Sequence, residues 1–239
     1  MGNYINVSQL QCPIRVLLVT GGDRLVISLK MTTNIYKTQF ESQQYIRQYY
    51  SNVDREEQFF LTQLHELFSS FQSSSSPLSR PRVVLEIGSG PLVSGLVSAS
   101  SWADLLIFSD LLEDNLRQIK LSLKQLSEAS DANDAIFELE SIKCIAHLEK
   151  IDVLKVQERM DQTPKIIAKC NLFSQEIITP KLLLPNSPSV IIIKLCLEFA
   201  LDHVSQLTPV LTRVSNILTS GGKLVIMGAL GKFELNIFV

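Results

Sequence analysis

The stretch Arg82-Val83-Val84-Leu85-Glu86-Ile87-Gly88-Ser89-Gly90-Pro91 decides the fold. Val83 to Ile87 is a short apolar run bounded by Pro81 upstream and glycines downstream, which reads as a parallel strand buried on both faces. Gly88 and Gly90 permit a tight turn and a close backbone approach to a ligand. Pro91 suits the first position of a following helix, where its missing N–H is not needed. Strand, glycine turn and helix start make a nucleotide cradle, with free N–H groups expected at the helix N-terminus.

The cradle alone leaves the ligand open. A dinucleotide fingerprint, G-x-G-x-x-G, needs a third glycine where Val93 stands. Glu86 precedes the first glycine by two residues, and a carboxylate there suits a cation better than a pyrophosphate. S-adenosylmethionine fits, because its amino group and sulfonium are both positive. The plain alternative is an ordinary strand-to-helix turn. Asp110 narrows the choice: it ends the apolar run Leu105–Ser109 and lies 20 residues after Gly90. At that distance an acid at the end of the next strand meets a ribose hydroxyl pair. It would equally serve as the N-cap of the helix that follows.

Working outward, strands at Lys165–Cys170, Val190–Leu195 and Lys223–Met227 alternate with helical stretches. This spacing predicts an α/β fold with a doubly wound, mostly parallel sheet. Ligands on such a sheet sit at the C-terminal strand ends, where Gly88, Asp110, Asn171 and Leu195 fall. Residues 131–161 read as two mostly polar helices inserted on the surface. A final long helix is expected to start near Thr208-Pro209. Upstream, Tyr45, Ile46, Tyr49 and Tyr50 share one helical face, and Asp54 with Glu57 reads as a capping box opening a second helix. Residues 1–37 fit the rest poorly; Val16–Val19 and Leu25–Leu29 around Gly21-Gly22 suggest a hairpin.

The totals exclude several classes. A chain of 239 residues, 46% apolar and 19% charged, is an ordinary globular protein. A net charge of −2, with no run of about five like charges, gives no nucleic-acid surface. Cys12, Cys144, Cys170 and Cys196 are dispersed, and His65, His147 and His203 are isolated, so reduced thiols and no metal site are expected. No apolar run reaches the roughly 18 residues of a membrane span. A cytoplasmic protein is the default expectation.

Val83–Pro91, Ser109–Asn115 and Leu218–Ala229 resemble the class I S-adenosylmethionine-dependent methyltransferases. Ile87-Gly88-Ser89-Gly90-Pro91, Asp110 with Asn115, Leu195-Cys196-Leu197-Glu198 and Phe40…Tyr45…Tyr49-Tyr50 resemble, more narrowly, the small-molecule amine branch: the nicotinamide, phenylethanolamine and indolethylamine N-methyltransferases. The resemblance covers about residues 38 to 235, taken as one Rossmann-like domain of residues 38–239 behind an extension of residues 1–37. It implies methyl transfer to the nitrogen of a small amine. It further implies that Tyr45 and Tyr50 close over the cofactor and that Gly88, Ser89 and Gly90, with Glu86, face its methionine portion. Asp110 would take the ribose with support from Asn115, and Asn171 with Leu172 would meet the adenine. Lys194 replaces a small hydroxyl residue beside the cofactor carboxylate, where it would pair with that group or crowd the site.

The acceptor half departs further from the family. Gly228 stands where the nicotinamide enzyme has an Asp, Lys232 replaces a serine and Leu235 an aromatic wall. Glu198 is the one acceptor-side candidate, and no residue is assigned a catalytic role. Nicotinamide is therefore not the expected acceptor. Two other readings stay open: a weak or inactive cofactor-binding protein derived from the family, and a nicotinamide-nucleotide oxidoreductase, which Val93 argues against. Methyltransferases of this class continue their sheet with two strands beyond the fifth, whereas only Leu230–Val239 follows Met227 here. That predicts a sheet lacking its last two strands, the fifth exposed as an edge that invites self-association. Phe233, Leu235, Ile237 and Phe238 are the residues available for a short makeshift partner.

Overall fold

The structure is a computed structural model and describes residues 4–6, 15–21, 40–72, 81–128, 138–183 and 186–229. In chain order the elements are strands β1 (Tyr4–Asn6) and β2 (Arg15–Gly21) and helices α1 (Ser42–Tyr49) and α2 (Arg55–Gln72). Strands β3 (Val83–Ile87) and β4 (Leu105–Asp110) follow, then helices α3 (Glu113–Glu128), α4 (Leu139–Glu149) and α5 (Val153–Gln162). The rest comprises β5 (Lys165–Lys169), the short α6 (Pro180–Leu183), β6 (Val190–Lys194), the short α7 (Leu197–Ala200), α8 (Leu207–Ile217) and β7 (Lys223–Ala229). Leu25–Leu29, Lys232, Leu235 and the proposed makeshift partner lie outside the described residues.

The strands form one seven-stranded sheet in the order β1-β2-β7-β6-β3-β4-β5. Every neighbouring pair is parallel except β1 with β2. From β3 the chain winds outward through β4 and β5, then crosses to β6 and β7 on the other side. The order therefore reverses between β3 and β6, and the crevice at their C-terminal ends is where a doubly wound sheet takes ligands. The expected α/β architecture is present.

Alternation along β3 and β6 assigns the faces. Val84, Val190 and Ile192 join a core with Phe60, Leu64, Phe68, Ile142 and Ile145, whereas Val83, Leu85, Ile191 and Ile193 join another with Val210 and Val214. Each fully buried side chain of this size contributes about 1.5–3 kcal/mol. Because side chains repeat every two residues in a strand, Glu86 shares the face of Val84, and Lys194 that of Val190 and Ile192. The sequence thus aims both charged groups at the N-terminal end of α2.

Four expectations need correction. The fifth strand of the sequence reading, here β7, is not an edge: β2 pairs with it in parallel from Arg15↔Lys223 to Gly21↔Ala229, while β6 holds its other side. A strand as apolar as Leu224–Met227 needs a partner along both sides, and the N-terminal segment supplies the second one. Val16–Val19 is a strand as expected, but β1 is its antiparallel partner. The segment after Pro91 is not a helix but two 3₁₀ turns, Ser94–Leu96 and Ser98–Ser101. Gly95 and four serines favour helix poorly, and Ser100 and Ser101 Oγ donate to the Val97 and Ser98 carbonyls. Lastly, α4 and α5 are no surface insertion, since Ile142, Ile145, Ala146, Val156 and Met160 are buried. Their polar residues lie on the outward face of an apolar stripe at helical spacing.

Candidate functional site

The turn after β3 needs its glycines. Gly88 and Gly90 have φ of 72° and 62°, in the left-handed region that only glycine enters freely. At Gly88 a second constraint applies, because a Cβ there would collide with the Cys196 side chain. Cys196 reaches this place because Leu195, at φ 49°, turns the chain off the end of β6. A left-handed non-glycine residue costs on the order of 1–3 kcal/mol and persists only where its surroundings hold it.

The backbone N–H groups of this turn are already occupied. Gly88 and Ser89 N–H donate to the Ser109 carbonyl (2.8 and 2.9 Å), and Gly90 N–H donates to Asp110 Oδ2 (2.9 Å). Farther on, Val93 and Ser94 N–H each donate to Glu138, at 2.7 Å to Oε1 and Oε2 respectively. The free N–H groups expected at a helix start are therefore absent from these positions. A buried carboxylate stands where a phosphate would sit, and a further anion would be repelled. This geometry opposes a pyrophosphate cofactor more strongly than the missing third glycine does.

Beneath the turn lies a charged cluster. Glu86 is 1% exposed and its Oε2 has no hydrogen-bond partner among the described residues; a Cβ on Gly95 would strike its carboxyl. Lys194 Nζ donates to both oxygens of Glu57, and Ser94 Oγ donates to Glu57 Oε1 (3.0 Å). Burial pushes the Glu86 carboxyl up to about 7, with Lys194 opposing. Glu138 is likewise pushed up to about 7 by burial, against the Val93 and Ser94 N–H groups. For Lys194 burial works downward, but Glu57, Glu86 and Glu138 outweigh it and hold the ammonium above its ordinary value. With one lysine facing these carboxylates, the crevice floor is short of positive charge.

Asp110 ends β4, 4% exposed, and is held by Leu112 N–H and Asn115 Nδ2 as well as Gly90. Burial raises its carboxyl, with these donors opposing. It is a strand-end acid but not the N-cap of α3, because its oxygens accept from Leu112 N–H and the Asn115 side chain and from no backbone N–H within that helix. Asn171 follows at the end of β5, and Cys170 N–H donates to the Asp110 carbonyl, keeping the two strand ends together. The Asn171 amide oxygen turns back to accept from Phe173 N–H (3.0 Å), and the buried Leu172 offers its carbonyl to Arg213 of α8. Tyr45 stacks with Phe40, Tyr49 and Tyr50 at ring separations of 5.1–5.5 Å. Burial raises its phenol, with a side-chain hydrogen bond to Tyr50 opposing. Glu198, in α7, lies against Gly228, where a Cβ would collide with its carboxyl.

Residues 29–237 match the NNMT/PNMT/TEMT family. The chain belongs to that family. Two relatives are nicotinamide N-methyltransferases: the human protein is 26% identical and the pig protein 24%, each alignment covering 82% of this chain and 72% of the relative. Among solved structures, the rRNA methyltransferase aviRa from Streptomyces viridochromogenes aligns over 74% of each chain, with a TM-score of 0.46 and 14% identity.

In this member of the methyltransferase family Glu86, Gly88–Gly90, Asp110, Asn115 and Lys194 lie at or just beyond the C-terminal ends of β3, β4 and β6, and all but the glycines are buried polar groups of that end of the sheet. Sequence reading missed Glu57, Ser94 and Glu138. Glu57 read as the reach-back half of a capping box; its N–H does take the Asp54 cap (2.9 Å), but its side chain goes to Lys194 instead. A signal existed: a lysine ending the apolar run Val190–Ile193 must find a buried partner. Glu138 gave no such sign. Cys170 is pushed up to about 11 and Cys196 well above its ordinary value, mainly by burial, so neither thiol is a ready nucleophile at neutral pH. Among the described residues no cluster of His, Cys, Asp and Glu can hold a metal, and no helix is long and apolar enough to cross a membrane.

Proposed function

We propose that this methyltransferase binds S-adenosylmethionine in the β3/β6 crevice and methylates the nitrogen of a small amine. One observation carries the reading: the glycine turn has spent its N–H groups on Ser109 and Asp110, and Val93 and Ser94 after it theirs on Glu138, while Glu86 beneath keeps a buried oxygen with no hydrogen-bond partner among the described residues. That is the electrostatics of a cation site. It fits a ligand bearing ammonium and sulfonium and rejects a phosphate.

Bound there, the cofactor would supply an electrophilic methyl group. Glu86 balances its positive charge, Asp110 accepts from the ribose, Asn115 orients Asp110, and Asn171 with Leu172 lines the adenine end. Tyr45 and Tyr50 cover the crevice and exclude water. No nucleophilic side chain is needed, because the donor is already activated and the protein's contribution is proximity and orientation. The amine attacks only when neutral, so a carboxylate near it orients it or takes its proton. Glu198 is the candidate for that role, its carboxyl filling the space beside Gly228 that a side chain there would occupy. We place the protein in the cytoplasm and assign residues 1–30 no part in the chemistry.

Calorimetry with S-adenosylmethionine, S-adenosylhomocysteine, NAD and ATP tests the cofactor. Binding of the two sulfur ligands alone is expected; NAD binding with no response to either would overturn the reading. Transfer of labelled methyl to a panel of primary amines tests the reaction. A second reading, cofactor binding without turnover, draws on the Lys194–Glu57 pair, which fills part of the crevice floor. Tight cofactor binding with no labelled product from any amine would favour it.

A further inference from the structure

We infer that Ser42, the first residue of α1, is a positioning residue that couples docking of that helix to the ribose-binding carboxylate of Asp110. The inference rests on the S-adenosylmethionine reading of the crevice. Ser42 Oγ donates to Asn115 Oδ1 at 2.7 Å, Asn115 Nδ2 donates to Asp110 Oδ1 at 2.9 Å, and Asp110 Oδ2 accepts from Gly90 N–H at 2.9 Å. One unbroken line of hydrogen bonds thus runs from the tyrosine-bearing helix to the glycine turn. Ser42 is 1% exposed and Asn115 0%, so the hydrogen bond between them is buried.

The chemistry of each group fixes the direction of the line. Asp110 only accepts when ionised, so Asn115 must turn its NH₂ toward Asp110 and its oxygen toward Ser42. The amide oxygen only accepts, so the Ser42 hydroxyl must donate. Flipping Asn115 would set two acceptors against each other, and removing the Ser42 hydroxyl would leave a buried amide oxygen without its donor. Asn115, one of the three donors that hold the Asp110 carboxylate, is therefore kept in its donating orientation by a docked α1, while Leu112 and Gly90 N–H hold the rest.

That docking is weakly secured. α1 has eight residues, of which Ser42 and Ile46 are the buried ones, and a helix this short is marginal by itself. Besides its hydroxyl, Ser42 donates its N–H to Asp114 Oδ2 at 3.3 Å, so both its polar groups hold the first turn of α3. A ribose hydroxyl that engages Asp110 strengthens the docked arrangement, and by linkage docking strengthens the hold on the ribose.

The test compares S-adenosylhomocysteine with its analogue lacking both ribose hydroxyls, by calorimetry on the full chain and on Ser42→Ala. Ser42→Ala should weaken S-adenosylhomocysteine by roughly 5- to 30-fold and the analogue by less than about twofold, the scale of one buried hydrogen bond. Equal weakening of both ligands would mean a merely structural role and overturn the inference, as would unchanged affinity for S-adenosylhomocysteine. Tryptic cleavage after the exposed Arg47 gives an independent measurement on the unmodified chain. S-adenosylhomocysteine should slow it and the analogue should not; equal protection by both would also overturn the inference. If the unmodified chain binds neither ligand, the cofactor reading itself fails, an outcome distinct from a normal chain whose Ser42→Ala variant is unaltered.

Discussion

Lys194 Nζ lies 2.9 and 3.1 Å from the two carboxylate oxygens of Glu57, a residue 137 positions away, and both side chains are 6% exposed. This buried ion pair ties the end of β6 to the start of α2 beside the glycine turn. Its worth lies in being complete. A charge removed from water without a partner costs several kcal/mol, whereas the full pair is nearly balanced by the desolvation of its members.

Lys194→Met should therefore destabilise the protein by about 3–5 kcal/mol, because Glu57 is left buried and uncompensated. The double variant Glu57→Leu/Lys194→Met should recover most of that loss. Urea unfolding of the two singles and the double measures it. A Lys194→Met protein within 1 kcal/mol of the original would contradict a sealed pair.

Stability should fall as pH rises toward neutral. Glu86 and Glu138 are raised to about 7 in the folded protein, against an ordinary value of 4.5. Between these values the folded chain binds more protons than the unfolded one, so their stabilisation is complete below about 4.5 and lost as pH passes 7. Each group contributes a limiting slope of about 1.4 kcal/mol per pH unit, readable from urea unfolding over this range. Glu86→Gln should flatten part of the slope. In the ligand-bound state the sign reverses for Glu86, since a fixed cation favours its ionised form; affinity for S-adenosylmethionine should rise through about pH 7 and lose that rise in Glu86→Gln.

Removing the carboxylate of Glu138 should expose the anion site it fills. Glu138→Ala leaves Val93 and Ser94 N–H without their acceptor, at a cost of about 1–3 kcal/mol. Millimolar sulfate should then raise the melting temperature of the variant more than that of the original. If sulfate acts equally on both, those N–H groups are not an available anion site.

Deleting residues 1–21 should uncover β7. Its ladder to β2 runs over seven residue pairs, and an unpaired apolar strand edge is a template for other chains. Sedimentation velocity should show concentration-dependent association beyond that of the full chain, together with a lower melting temperature. A deletion variant that sediments and melts like the full chain would show that β2 contributes nothing to the edge.

By itself the sequence determined the winding of the sheet and the gathering of Glu86, Gly88, Gly90 and Asp110 at neighbouring strand ends. Strand-length apolar runs alternating with amphipathic stretches are local periodicities. Glu86, the two glycines and Asp110 stand at spacings fixed by one strand, its glycine turn and the neighbouring strand. Period-2 alternation relates Glu86 only to Val84 and Lys194 only to Val190 and Ile192; the β3–β6 pairing puts the two charges on one face. Tertiary structure alone decided the rest, because each remaining contact joins segments with no sequence rule linking them. Glu57 finds Lys194 across 137 residues, Glu138 reaches back 45 residues to Val93, and Ser42 meets Asn115 73 residues on. The pairing of β2 with β7 belongs to the same class: a hydrogen-bond ladder uses the backbone, which every residue but proline carries alike, so no side-chain pattern announces which strand will supply it.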